Sequence, residues 1–279
     1  MKKLALVCLA FMGLTACSRL DIALRWVDVF IAGKVDDYFD LNSQQKKELK
    51  KSIQLDLKQI QAKLLPQWIH NFKEIEKDVN SGSLEEQKVA GYFASFMSDA
   101  EGIKRYFADT AVQLVGTVDD SQMKHFRKSF SKKAEEDLVK AQNPEKLREE
   151  YKDKYIDYFA MFLGTLTKDQ EKSVDQHLQT SCFPAALKVK NNEYVFEKFM
   201  KESDNKEKRK QFVREFYVHP ERFELPEYKQ AKAQYQESLK NLITDVLVRM
   251  TPEQKVRLKK NLIEKTAQLE KAQGYIRSL

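Results

Sequence analysis

Apolar residues recur at spacings of three and four along most of this chain, and no stretch alternates residue by residue. That rhythm belongs to helices, which return one face to the core about every 3.6 residues. Leu20, Leu24, Val27 and Ile31 form the first such stripe, Tyr151, Tyr155, Tyr158, Phe159 and Phe162 another, and Leu239, Leu242, Ile243, Val246 and Leu247 a third. Aromatic and aliphatic stripes at this spacing are core faces. The pattern predicts an all-α, multi-helix bundle. A long basic helix is expected over about 43–64, ended or kinked by Pro66.

Helix starts are marked by capping residues. Asn42-Ser43-Gln44-Gln45, Asp119-Asp120-Ser121-Gln122, Thr167-Lys168-Asp169-Gln170 and Thr251-Pro252-Glu253-Gln254 each set a short polar side chain three residues before a glutamine. The short side chain takes an orphan amide of the first turn, and the glutamine reaches back to the cap. Ser83-Leu84-Glu85-Glu86 is a glutamate version, Asn143-Pro144 opens another helix, and Asn80-Ser81-Gly82 closes one. Pro184 follows Cys182-Phe183, and Pro220 and Pro226 bracket a loop.

The four glutamine caps share a wider pattern. Leu41, Val118, Leu166 and Met250 precede them, and apolar residues follow each glutamine at four and eight: Leu49 and Ile53, Phe126 and Phe130, Val174 and Leu178, Leu258 and Leu262. The first cap stands 125 residues before the third, and the second 132 before the fourth. A tandem duplication with helical halves at 17–142 and 143–279 is one reading. The other is that helix starts resemble one another for physical reasons.

The chain begins Met1-Lys2-Lys3, continues with 11 apolar or small residues from Leu4 to Leu14, and reaches Leu14-Thr15-Ala16-Cys17. A positive start, a short apolar run and small residues at a cut site are the parts of a secretory signal. The run is too short for a bilayer-spanning helix, which needs roughly 20 residues. Leu14-Thr15-Ala16-Cys17 resembles the lipobox of bacterial lipoproteins. That resemblance implies a signal peptide at 1–16, an acylated Cys17 as the mature N-terminus, and palmitate-type chains in the bilayer. Ser18, where an aspartate would favour the inner membrane, points to the periplasmic face of the outer membrane. Helical phase from Leu20 leaves no flexible linker, so the body should sit close to the lipid. Trp26 has two readings, headgroup contact and core packing, and core packing is the expected one.

Without the signal, the chain carries 47 basic and 42 acidic residues. Solvated helix faces are the expected reading of that charge, including the clusters Lys124, Arg127, Lys128, Lys132, Lys133 and Lys206, Lys208, Arg209, Lys210, Arg214, and a patch for anionic lipid, lipopolysaccharide or acidic clients is the other. Export argues against nucleic acid as a partner. Of the three cysteines only Cys182 would remain free, too few for an intrachain disulfide. His70, His125, His177 and His219 stand apart from other His or Cys at metal spacing. Gly-rich phosphate loops and nucleophile-turn motifs are missing from the sequence. Neither cofactor nor metal is expected, and no catalytic residue is assigned.

Trp26-Val27-Asp28, Asp36-Asp37-Tyr38-Phe39-Asp40-Leu41, Gln45 and Leu65-Pro66 resemble an uncharacterised family of Gram-negative lipoproteins, a domain of unknown function. That family shows a His-Arg pair before its Leu-Pro. Ala62-Lys63 stands there in this chain, so no role of that pair carries over. The resemblance implies anchoring and a helical body, without an activity. Leu166-Thr167-Lys168-Asp169-Gln170 and Met250-Thr251-Pro252-Glu253-Gln254 resemble the Leu-Thr-x-x-Gln motif of helical periplasmic stress chaperones. The expected role is non-enzymatic binding or scaffolding in the envelope, with envelope proteins as partners. A chaperone that binds unfolded clients is the alternative, and a murein-acting enzyme the third reading. The candidate partner-binding segment is Asp36, Asp37, Tyr38 and Asp40, whose other reading is a helix corner with packed aromatics.

Overall fold

The computed structural model describes residues 17–277, with side chains described for 26–273. Residues 1–16, read from the sequence as a signal, and the side chains of Cys17 to Arg25 lie outside the described part. Helix α1 spans Cys17–Phe39, α2 Ser43–Ser81, α3 Glu86–Tyr106, α4 Ala108–Thr117 and α5 Asp120–Ala141. Then follow α6 Pro144–Leu163, α7 Lys168–Thr180, α8 Ala185–Glu202 and α9 Lys206–Val218, a 3-10 turn Pro220–Phe223, α10 Pro226–Val248 and α11 Pro252–Arg277. Among the described residues no strand occurs, so the molecule is an all-α, multi-helix bundle.

Helix α2 organises the bundle. Its 39 residues make it about 58 Å long. Leu49 and Ile53 near its start enter one core with Ala32, Leu114, Val118, Met123, Phe199 and Val213. Leu65, Ile69, Phe72 and Val79 near its end enter a second core with Leu163, Val174, Val246, Leu258, Leu262 and Leu269. The second core is completed chiefly by α11, which packs along α2. Each core draws residues from both sides of position 142/143, so neither is closed by one half of the sequence alone.

Pro66 does not end α2. The helix runs through it to Ser81, where Gly82 takes the left-handed conformation (φ 70°) and closes the last turn. Pro66 and Ala62, whose carbonyl loses its helical donor, are both exposed, while Leu65 and Ile69 on either side are buried. Packing holds both sides of the proline in register, and water reaches the one unpaired carbonyl. Ser83 also departs from expectation. Glu85 is the residue before α3, without a side-chain cap bond. Ser83 Oγ instead donates to Asp78 Oδ1 at 3.1 Å. Burial pushes the Asp78 carboxyl up, but hydrogen bonds from Lys88, Tyr92 and Ser83 outweigh it and hold it below the usual range.

Arg209 corrects the reading of the second basic cluster as wholly solvated. It is 6% exposed, its Nη2 lies 3.5 Å from the Val118 carbonyl oxygen, and its Nε and Nη1 have no hydrogen-bond partner. The cause is the packing of α9 against α4, which covers this side chain.

Candidate functional site

The four glutamine caps meet in two pairs. In the first, Gln45 Nε2 donates to Gln122 Oε1 at 3.0 Å, and Gln122 Nε2 donates back to Gln45 Oε1 at 2.8 Å. Each oxygen also accepts the backbone N–H of its own cap residue, Asn42 at 3.0 Å and Asp119 at 3.2 Å. Each nitrogen spends its second hydrogen across the pair: Gln45 on the Thr117 carbonyl at 3.1 Å, Gln122 on that of Asp40 at 3.0 Å. Both amides are thereby saturated, as burial demands.

The second pair repeats the scheme. Gln170 and Gln254 exchange bonds of 3.0 and 2.9 Å, and their oxygens accept the amides of Thr167 and Thr251 at 2.9 and 3.1 Å. Gln254 donates to the Thr165 carbonyl at 3.0 Å. In three of the four cases the accepting carbonyl lies two residues before the partner's cap. Gln170 departs from this and donates at 3.2 Å to Val246, inside the last turn of α10. Leu41, Val118, Leu166 and Met250, the apolar residues before the caps, are all buried beside the pairs.

The candidate partner-binding residues sit at the corner feeding the first pair. Asp40 ends α1 in the left-handed region (φ 50°), which aspartate tolerates better than most residues. Its carbonyl receives Gln122. Asp36 Oδ1 accepts the Leu41 N–H at 2.8 Å, and its other oxygen pairs with Lys46 at 2.7 Å. Tyr38 is half-buried, its ring 6.3 Å from Phe126, and burial raises its hydroxyl above the ordinary value. Phe39 stacks on Phe126 at 4.6 Å. Asp37 and Asp40 are both exposed, and among the described residues Asp37 pairs only with its neighbour Lys34. The corner thus joins Asp36, Tyr38 and Asp40 in one structural unit and leaves Asp37 outside it.

Helix α1 begins at Cys17, so the described backbone has no linker after that position. Trp26 is not a core residue. It is 61% exposed, and Phe30, one turn on, is 46% exposed. Helical phase in the sequence placed Trp26 beside the Val27 and Ile31 stripe and could not say how wide the buried face is. Among the described residues, α2, α5 and a short stretch of α11 make the main cover of α1.

Two features were not visible in the sequence. The first is a groove between α2, α3 and α4 lined by Asp56, Asp99 and Asp109. Burial raises the Asp56 carboxyl above the usual range, and Thr110 donates to it. Asp99 accepts from Trp68 Nε1 at 2.9 Å, and Asp109 from Arg214 at 2.9 Å. Each acid is tied to a donor that positions helices.

The second is a buried chain of polar groups at His177, which is 4% exposed. Its Nδ1 lies 2.7 Å from Ser238 Oγ and its Nε2 3.4 Å from the Tyr155 hydroxyl, itself 2.6 Å from that of Tyr235. Burial lowers the imidazole from its ordinary 6.5 and raises both tyrosines. The folded state therefore binds fewer protons than the unfolded chain just below pH 6.5. The stability that this group contributes is complete above that pH and falls as pH drops toward the folded value. Urea unfolding should show lower stability at pH 5 than at pH 7.5, a loss that His177→Gln removes. An equal loss in both proteins would assign the effect to other groups.

Among the described residues, no group of His, Cys, Asp and Glu stands close enough to hold a metal ion, and no helix is long and apolar enough to cross a membrane. Comparison with family models matches residues 37–229 to a family of unknown function, DUF6279. The matched span holds Gln45, Gln122 and Gln170 and stops before Gln254. Comparisons with curated proteins and with solved structures returned no match.

Proposed function

From the premise that this chain belongs to DUF6279, a family of unknown function, we propose that it is a lipid-anchored envelope protein, held through acylated Cys17 at the periplasmic face of the outer membrane, with a non-enzymatic binding or scaffolding role. The observation that carries this reading is the placement of Leu14-Thr15-Ala16-Cys17 directly after an apolar run too short to span a bilayer. Helical backbone from Cys17 onward supports it, because a helix there mounts the body on its anchor without slack. Each methylene buried in lipid adds about 0.8 kcal/mol, so two or more chains hold firmly where one does not.

A binding role suits a body built for rigidity. Both glutamine pairs lock helix ends together, and the acids of the α2–α3–α4 groove are held by Thr110, Trp68 and Arg214 rather than converging as a free pair. The Leu-Thr-x-x-Gln segments are accounted for by the second glutamine pair, so they lend a chaperone role no separate support. The anchor is tested by growing cells that express the full chain on an alkyne-bearing fatty acid. Label should enter the wild-type chain and track with outer-membrane fractions. Cys17→Ser should take up none and leave the membrane. Equal labelling of both, or of neither, would defeat the proposal.

A further inference from the structure

We propose that the outer face of α1 rests on the bilayer surface, with Trp26 and Phe30 in the headgroup layer; this deepens the anchored reading above and rests on it. Trp26 and Phe30 are exposed, one turn apart on one helix face. Asp28, about 200° around the helix from each, is 5% exposed and accepts from Gln54 of α2 at 2.8 Å. The aromatic pair therefore points away from the body. Nine residues of continuous helix separate Trp26 from Cys17, about 14 Å along the axis, within reach of the headgroup layer if the helix lies along the surface.

Residue type and charge favour lipid over protein as the occupant. Tryptophan prefers the membrane interface, where an apolar ring and a polar N–H are both satisfied. Lys47, Lys51 and Lys58 lie on the same stripe of α2 as Gln54, at seven and three residues before it and four after. Each is exposed. None forms an ion pair among the described residues. Ammonium groups on long stems, carried by the helix that packs against α1, suit anionic headgroups. No described helix is apolar enough to cross a membrane, so the contact is a surface one.

The test uses the full chain, processed and lipidated in cells, with Trp68→Phe so that Trp26 is the sole indole of the two. It is reconstituted into vesicles of phosphatidylglycerol and phosphatidylcholine, with or without bromine on the acyl chains near the headgroup. Flotation reports the anchor; quenching of Trp26 reports the seating. The expected result is flotation, blue-shifted emission, and about a two-fold loss of intensity with brominated lipid. Phe30→Glu should reduce the quenching while flotation persists. Flotation without quenching overturns the seating alone, and absence of flotation overturns the anchor and the seating together. A blue shift that grows with protein concentration and resists bromine would assign the face to a second copy of the chain, against the proposal.

Discussion

Gln170→Ala is expected to destabilise the protein by about 3–4 kcal/mol, the largest cost of any single glutamine removal here. Gln170 is 1% exposed, the most buried of the four glutamines. Its loss leaves the Thr167 amide and the Val246 carbonyl without their partner, and strips Gln254 of one bond on each side of its amide. For a chain of this size that corresponds to a fall in Tm of about 10 °C, readable by calorimetry. Gln45→Ala and Gln122→Ala should cost less, because those side chains are 8% and 7% exposed and water can reach the groups left behind. In a double-mutant cycle Gln170 and Gln254 should couple by about 1–3 kcal/mol. Additive losses would show that the two caps act separately and that the exchange between them contributes nothing.

Gly164→Ala should cost about 2–4 kcal/mol for a different reason. Gly164 ends α6 at φ 80°, ψ −150°, a region that side chains beyond glycine scarcely enter. A Cβ would also stand 2.2 Å from Arg257 Nη1 and 2.9 Å from Arg257 Cδ, so the arginine draped over the turn must move. Pairing the change with Arg257→Ala removes the collision and leaves the backbone strain. If the double variant regains full stability in urea unfolding, the cost was steric and the backbone conformation is not the constraint.

How far the sequence reaches is clear from the caps. Asn42, Asp119, Thr167 and Thr251 were legible as helix starts, because a cap is a contact between residues three apart. The apolar residues around them were legible as core, and nearly all are buried or half-buried. The meeting of these caps in pairs was not legible, since the partners are 77 and 84 residues apart and local capping explains each glutamine without the other. Asp36 and Asp40 drew attention as acids beside aromatics. Their work at the α1–α2 corner depends on a left-handed residue and on a carbonyl offered to Gln122, which no spacing announces.

Periodicity by itself determined the all-α class, the helix starts and most core faces, because each depends on neighbours within one or two turns. The lipobox reading likewise rests on contiguous residues. Only the tertiary structure decided the rest: that α2 runs through Pro66, that Trp26 faces out, that Arg209 is buried where α9 packs against α4, and that His177 lies among Tyr155, Tyr235 and Ser238. Each depends on which helix packs against which, and that is set by contacts between residues far apart along the chain.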